Sequence, residues 1–424
     1  MILPELLSPA GSLEKMRFAF AYGADAVYAG FPIFSLRARE NEFSYENLKI
    51  GIDEAHAQGK KVYLTANIFA RNRKIEVFRR SVVEFSKLKP DALIMSDPGL
   101  ISIVRDLCPE LPIHLSVQAN CMNWSAVKFW QEVGIKRIIL SRELPLTEIR
   151  TIKDKVPDIE LEMFAHGSIC IAYSGRCLLS SYMSHRDANQ GVCDNSCRYP
   201  NNIYRTEKPA TNTEYYIEDM RDPGEFYRIN EDEYGTYIMN AKDLCAIEYL
   251  KEIVDAGVCS IKIEGRTKSI HYLSVVTKAY RQALDDLAAG REFDRTLIQD
   301  LLDMSQRGFS PGFLFQGAGP EAQVYDRVIG PPKSPFLGVV EGSSTERVGQ
   351  PVAVRGKIVS GQTYEIYSPQ GKGLAQITGL RNSAGKEITE AHPGVGTVLV
   401  DSSQVLPKFG MIRARPEVFA NATR

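Results

Sequence analysis

Four of the chain's eight cysteines, Cys170, Cys177, Cys193 and Cys197, fall within one stretch of 28 residues. Thiols that dense, in a chain otherwise sparing of cysteine, can bind a metal or an iron–sulfur cluster, pair as disulfides, or supply a nucleophile. Four together exceed what nucleophilic catalysis requires. The spacing, Cys-x6-Cys, then x15, then Cys-x3-Cys, lacks the tight CxxC pairs usual at zinc. Iron–sulfur clusters accept looser spacing if four thiolates converge, so a cluster leads, with zinc and plain structural thiols as alternatives. Cys245, in NAKDLCAIEYL, is a rival for one ligand position. Cys108, Cys121 and Cys259 fall in or beside core segments and read as buried thiols.

The elements that must position these residues follow a strand–helix rhythm over the first 270 residues. Short apolar runs at 5–8, 26–29, 62–66, 92–95, 113–117, 138–140, 159–164 and 260–263 read as parallel strands buried on both faces. Amphipathic stretches between most of them, such as SYENLKIGIDEAHAQG, end at Gly23, Gly59, Gly134 and Gly257, a helix-stop placement. Eight such units predict a (β/α)8, TIM-barrel-like domain over 1–290, with a cysteine-rich insertion at about 170–235. A doubly wound sheet is the alternative, but no GxGxxG follows the first strand. A strand-like TYIMN and a helix from Lys242 to Ala256 are expected after the insertion. Residues 291–334 read as a helical and linker segment, and six short strands over 335–424 predict a C-terminal antiparallel β-barrel domain.

In such a barrel, chemistry belongs where the strands end. The polar residues there are Ser8, Asn67, Ser96, Asp97, Gln118, Asn120, Arg142, Glu143, Glu162, His166, Lys262, Glu264 and Arg266. Arg142 and Arg266 suit carboxylates or phosphates, and Glu143 and Glu264 beside them could simply neutralise them. His166 reads equally as a ligand, an acid–base group or a packed histidine. His185 and Asp187 lie in a loop-like stretch and read equally as solvated or turn residues.

Composition is ordinary for a globular chain of 424 residues: 44% hydrophobic, 24% charged, net charge −1. No global basic field announces nucleic acid, so such a partner needs a local patch. Arg71, Arg73, Lys74, Arg198, Arg205 and Lys268 are the candidates. The N-terminus reads as a first strand and not a signal peptide, and no apolar run reaches the roughly 18 residues of a membrane span. A cytoplasmic protein with reduced thiols and no membrane partner is expected.

The run Glu162-Met-Phe164-Ala-His166-Gly167-Ser168-Ile169-Cys170, then Gly175-Arg-Cys177-Leu-Leu179-Ser180, resembles the signature of the peptidase U32 (collagenase-like) family. The opening ELLSPAGSLEKMRFAFAYGADAVYAG and the segments SVQANCMN, HRDANQGVCDNSCR, NAKDLCAI and SIKIEGRTK match the family in order. Within it, the chain is most similar to the bacterial tRNA hydroxylation group. That resemblance implies conversion of wobble uridine to 5-hydroxyuridine, with prephenate as co-substrate, tRNA as partner and no need for molecular oxygen. It also implies a 4Fe-4S cluster on Cys170, Cys177, Cys193 and Cys197, with Cys245 an alternative for the fourth ligand. Other relatives are peptidases, ribosomal RNA hydroxylases or cluster-binding partners in quinone hydroxylation. No Ser–His–Asp set or HExxH supports a peptidase.

A small dicarboxylate would want Arg142, Arg266 or Lys242 around it. His166, Glu162, Arg142, Arg266 and Glu264 are the catalytic candidates, and Asn67, Gln118, Asn120, Lys242 and Lys262 the substrate-binding ones. Whether the chain works alone or as a homo- or hetero-oligomer is not written in the sequence.

Overall fold

The structure is a computed structural model. It describes residues 3–36, 41–170, 172–177, 179–180, 193, 195, 197, 242–305, 308–315 and 334–414, and the strand backbone within 201–236. His185, Asp187 and Arg198 lie outside the described residues, as does the Arg205 side chain.

Seven parallel strands follow in chain order: β1 (Glu5–Ala10), β2 (Ala26–Gly30), β3 (Lys61–Ala66), β4 (Ala92–Met95), β5 (Ile113–Leu115), β6 (Arg137–Ile139) and β7 (Glu160–Gly167). The helices between them are α1 (Leu13–Ala21), α2 (Tyr45–His56), α3 (Ile75–Ser86), α4 (Pro98–Leu107), α5 (Trp124–Glu132) and α6 (Leu146–Lys155). Four of these helix starts have a local cause. Ser12, Ser44, Asp97 and Asn123 accept backbone N–H bonds from the first turns of α1, α2, α4 and α5. The four helix-stop glycines all take positive φ.

Three short strands follow β7: β8 (Asn201–Thr206), β9 (Glu214–Asp219) and β10 (Phe226–Ile229), which form an antiparallel sheet. A two-residue pair comes next, β11 (Glu231–Asp232) with β12 (Gly235–Thr236). Then come β13 (Asp243–Cys245), α7 (Leu250–Asp255), β14 (Ser260–Ile263), the long α8 (Ile270–Ala288), α9 (Thr296–Leu302) and β15 (Phe309–Ser310). β14 pairs in parallel with both β1 and β7, which closes an eight-stranded parallel barrel.

Where a helix over Lys242 to Ala256 is expected, the chain is first extended. β7 runs well past its last pairing with β6 at Glu162, which leaves backbone groups on that edge, and β13 pairs there antiparallel, Leu244 facing Gly167 and Cys245 facing His166. The helix begins only at Leu250.

The expected C-terminal barrel is present as six antiparallel strands closed in the order β16-β17-β22-β20-β19-β23. Their ranges are β16 (Phe336–Val340), β17 (Gln350–Val354), β19 (Thr363–Ser368), β20 (Gly371–Arg381), β22 (Thr397–Ser402) and β23 (Met411–Arg413), with a small β18 (Ile358–Val359) and β21 (Glu390–Ala391) pair. It docks on α1 and α8. Tyr22 donates from its hydroxyl to the carbonyls of Tyr367 (3.1 Å) and Phe409 (2.8 Å), and His271 stacks on Phe336. Among the described residues no helix is long and apolar enough to cross a membrane.

Candidate active site

The parallel barrel has two insides. Its outer face packs aliphatic side chains against the helices, while its interior holds Leu7, Tyr28, Tyr63, Ile94, Ile139 and Phe164 together with charged residues. Those charges form a chain. Lys262 donates to Glu162 Oε1 (2.9 Å), Glu162 Oε2 accepts from Arg137 (3.3 Å), and Arg137 reaches Glu5 (2.6 Å) and Glu160 (2.7 Å). Tyr63 and Ser260 also donate to Glu5. Glu162 is fully buried, with a cation on each oxygen; it is a strut between Lys262 above and Arg137 below.

Above this chain, at the end where the strands finish, a cavity of about 160 Å³ opens. Asn67, Gln118, Arg142, Lys262, Glu264 and Arg266 line it, and so do Cys170, Cys177, Cys193 and Cys197. Residues nearly 200 positions apart in sequence thus meet at one mouth. Tyr28, Ile94, Val117, Ile139 and Phe164 add apolar and aromatic walls. Tyr28 and Phe164 escape a search for polar strand ends, yet each occupies an inward position of its strand.

The three cations differ in what already holds them. Arg266 donates to Ser35 Oγ, Thr65 Oγ1 (2.9 Å) and the Leu36 carbonyl (2.5 Å), so it fastens the segment after β2 to β3. Lys262 lies over the Tyr28 ring at 4.3 Å and has one carboxylate partner; burial pushes its pKa down. Arg142 lies over the Phe164 ring, 3.9 Å from its centroid, and Glu264 Oε2 is 3.6 Å away. Its Nε–H is buried with no acceptor among the described residues. A buried guanidinium with an unused donor is the feature most open to an anionic ligand. Glu264 therefore does face Arg142, whereas Glu143 turns away to accept from the Ser174 N–H (3.1 Å) and hydroxyl (3.4 Å).

His166 is not at this mouth. β7 and β14 run in register to Phe164 and Lys262, then Ile263 faces His166, leaving Ala165 as an extra residue. That bulge reverses the alternation and turns His166 outward, between Tyr272, Tyr280 and Phe309. It is 1% exposed, and burial followed by the Lys268 charge pushes its pKa down to about 3. Cys245 belongs to the same outer cluster, bonded to Tyr280, with burial pushing its thiol up to about 11. Neither Cys245 nor Lys242 is among the cavity's lining residues. Asn120 serves the turn after β5, with φ of 53° and its amide donating to Ser141 (3.3 Å).

The four cavity cysteines are free thiols. Burial raises the Cys177 pKa, the backbone of Leu179 and Ser180 hydrogen-bonds its sulfur and opposes that rise, and the neighbouring Cys170 and Cys193 add to it. Cys193 Sγ accepts from the Asn195 N–H (3.4 Å) and the Ser180 hydroxyl (3.5 Å). Backbone donors aimed at sulfur stabilise thiolates and tune clusters that thiolates hold. Among the described residues no three His, Cys, Asp or Glu side chains crowd close enough to share one metal ion. Four free thiols lining one cavity are the donor set that an iron–sulfur cluster takes.

Comparison with known proteins places this geometry. The model of peptidase family U32 matches residues 11–323. Over 424 aligned residues the chain is 47% identical to "tRNA hydroxylation protein P" of Escherichia coli (strain K12), covering 93% of each chain. It is 45% identical over 417 residues to the protein of the same name in Haemophilus influenzae, covering 92% of this chain and 91% of that one. It is also 34% identical over 287 residues to the E. coli "23S rRNA 5-hydroxycytidine C2501 synthase", covering 68% of this chain and 40% of that one. The match extends through the signature that carries Cys170 and Cys177, and the chain belongs to peptidase family U32.

Proposed function

We propose that this protein hydroxylates tRNA, converting wobble uridine to 5-hydroxyuridine in a prephenate-dependent, oxygen-independent reaction that uses a 4Fe-4S cluster. The observation that carries the reading is the joint lining of one cavity by four free thiols and by Arg142, Lys262 and Arg266. The relatives that match end to end are named for tRNA hydroxylation, and a partial relative is named for making a 5-hydroxypyrimidine in RNA.

Cys170, Cys177, Cys193 and Cys197 would hold the cluster, which when bound supplies the electron transfer that side chains lack. The chain's own residues bind, orient and exclude water. Arg142 and Lys262 offer unused N–H donors to the carboxylates of a small dicarboxylate. Asn67 and Gln118 present amides able to read the edge of a uracil that has left its stack. Ile94, Val117, Ile139 and Phe164 wall the site off from water, which strengthens each polar contact inside it.

A peptidase would need a nucleophile against a base. The signature histidine is the natural candidate, and it lies outside the cavity among aromatic rings, uncharged and 1% exposed. Deleting the gene and measuring tRNA nucleosides by mass spectrometry tests the reading: 5-hydroxyuridine and its derivatives should disappear and return on complementation. Unchanged nucleosides, in a strain without a second copy of the family, would sink it. Anaerobically purified protein should carry about four irons per chain; a zinc-loaded, colourless protein would contradict the cluster.

A further inference from the structure

The turn between Cys170 and Cys177 holds an aromatic ring out at the rim of the cavity. Tyr173 lines the mouth and is 57% exposed, and its ring stacks on no aromatic ring among the described residues. Everything beneath it is fixed. The Tyr173 carbonyl accepts from the Arg176 N–H at 3.0 Å, and Ser174, 7% exposed, is bonded through both its N–H and its hydroxyl to Glu143. Gly175 has φ of +76°, and a Cβ there would stand 2.2 Å from the Gln118 carbonyl oxygen. A turn so constrained below and so open above is preorganised to present its ring, and preorganisation lowers the cost of binding.

A second observation points to the ligand. In a parallel barrel the helices start on the face where the strands end. On that face, just beyond the cavity residue Asn67, the turn before α3 carries exposed Arg71 and Arg73 with Lys74 beside them. These cations lie near enough together to disfavour one another: after burial, the charges of Arg73 and Arg71 lower the Lys74 pKa. Trp124, the first residue of α5 and 43% exposed, occupies the same face. Flat exposed rings on the same face as clustered cations match a ligand with unstacked bases on an anionic backbone.

We propose that Tyr173 is a base-stacking residue that receives a loop nucleotide next to the one entering the cavity, while Arg71, Arg73 and Lys74 contact the flanking phosphates. This rests on RNA being the substrate. The test uses full-length, cluster-loaded protein and a fluorescent RNA hairpin with an unpaired, uridine-containing loop, titrated at several salt concentrations. Tyr173→Leu should weaken binding roughly fivefold or more, with an unchanged salt slope, because stacking and not charge is lost. Tyr173→Phe should bind as wild type. Arg73→Ala should lower the slope of log affinity against log salt by about 0.7.

All three variants should keep wild-type iron. Wild-type affinity in Tyr173→Leu overturns the proposal, and so does loss of iron from it, since the turn would then serve the thiols. If a Gly-Pro-rich peptide binds where the hairpin does not, and Tyr173→Leu weakens the peptide, the turn belongs to a protein substrate and the proposal fails. A wild-type protein that binds the hairpin but leaves tRNA unmodified in vivo would instead refute hydroxylation alone.

Discussion

Lys262 donates from Nζ to Glu162 Oε1 at 2.9 Å, which ties the floor of the cavity to a line of charges running down the barrel interior. Both side chains are essentially inaccessible to water. Glu162 also accepts from Arg137, so one carboxylate offsets two buried cations. Removing one member of such a set exposes the others uncompensated. Glu162→Gln should therefore cost about 3–5 kcal/mol of stability, read by urea unfolding. Glu160→Gln, at the half-exposed end of the same chain, should cost less than about 1 kcal/mol. Equal costs would show that the chain is held by something other than buried charge.

Much of the architecture is legible in the residues because its causes are local. Short apolar runs, Ser, Asp and Asn caps and helix-stop glycines each act within a few positions, and together they mark the eight-stranded barrel. The six C-terminal strands are marked the same way, by short runs and turn residues. The site is less legible, because its causes are long-range. Arg142 and Arg266 look alike as strand-end arginines; only Ser35, Leu36 and Thr65, some 200 positions away in sequence, show that Arg266 is tied into the fold by hydrogen bonds, while Arg142, held by Phe164 and Glu264, keeps an unused Nε–H. His166 reads as a mouth residue by alternation, and the extra residue Ala165 turns it away. No pattern in β7 alone announces that bulge, since it comes from pairing with β14.

Because His166 packs outside the cavity, His166→Phe should keep iron content and activity. Its pH signature is separate. The folded pKa of about 3 lies below the ordinary 6.5, so unfolded chains bind the proton first. The stabilising contribution is complete above pH 6.5 and is lost as pH falls toward 3. Between pH 6.5 and 5.0 that loss reaches about 2 kcal/mol, at about 1.4 kcal/mol per pH unit. Burial pushes the pKa values of neighbouring Cys245 and Tyr280 up, so both stay protonated across this window and neither masks the effect. Urea unfolding at the two pH values should show a smaller difference in His166→Phe than in the wild type. An unchanged difference would place a proton on His166 in the native state.

The cavity wall sorts the cysteines. Cys170→Ser, Cys177→Ser, Cys193→Ser and Cys197→Ser should each lower iron content and the visible absorbance of anaerobically purified protein. Cys245→Ser should leave both unchanged, because that thiol is protonated, bonded to Tyr280 and outside the cavity lining. Iron lost only from Cys245→Ser, with Cys197→Ser intact, would reassign the fourth position.

Arg142 and Arg266 should fail in different ways. Arg142 lines the cavity and has a buried, unused donor, so Arg142→Leu removes a binding group without removing a structural hydrogen bond. The amount of prephenate needed for half-maximal tRNA hydroxylation should rise roughly tenfold or more, as losing a charge-assisted hydrogen bond predicts. Stability should change little, because the ring contact with Phe164 can be kept by an aliphatic side chain. Arg142→Lys should recover only part of the loss, since an ammonium cannot supply the planar fork. Arg266→Leu, by contrast, removes the hydrogen bonds that Arg266 gives to Ser35, Thr65 and the Leu36 carbonyl and should lower the unfolding midpoint in urea. If both variants shift the prephenate requirement equally at unchanged stability, the division between an anion-holding Arg142 and a fastening Arg266 is wrong.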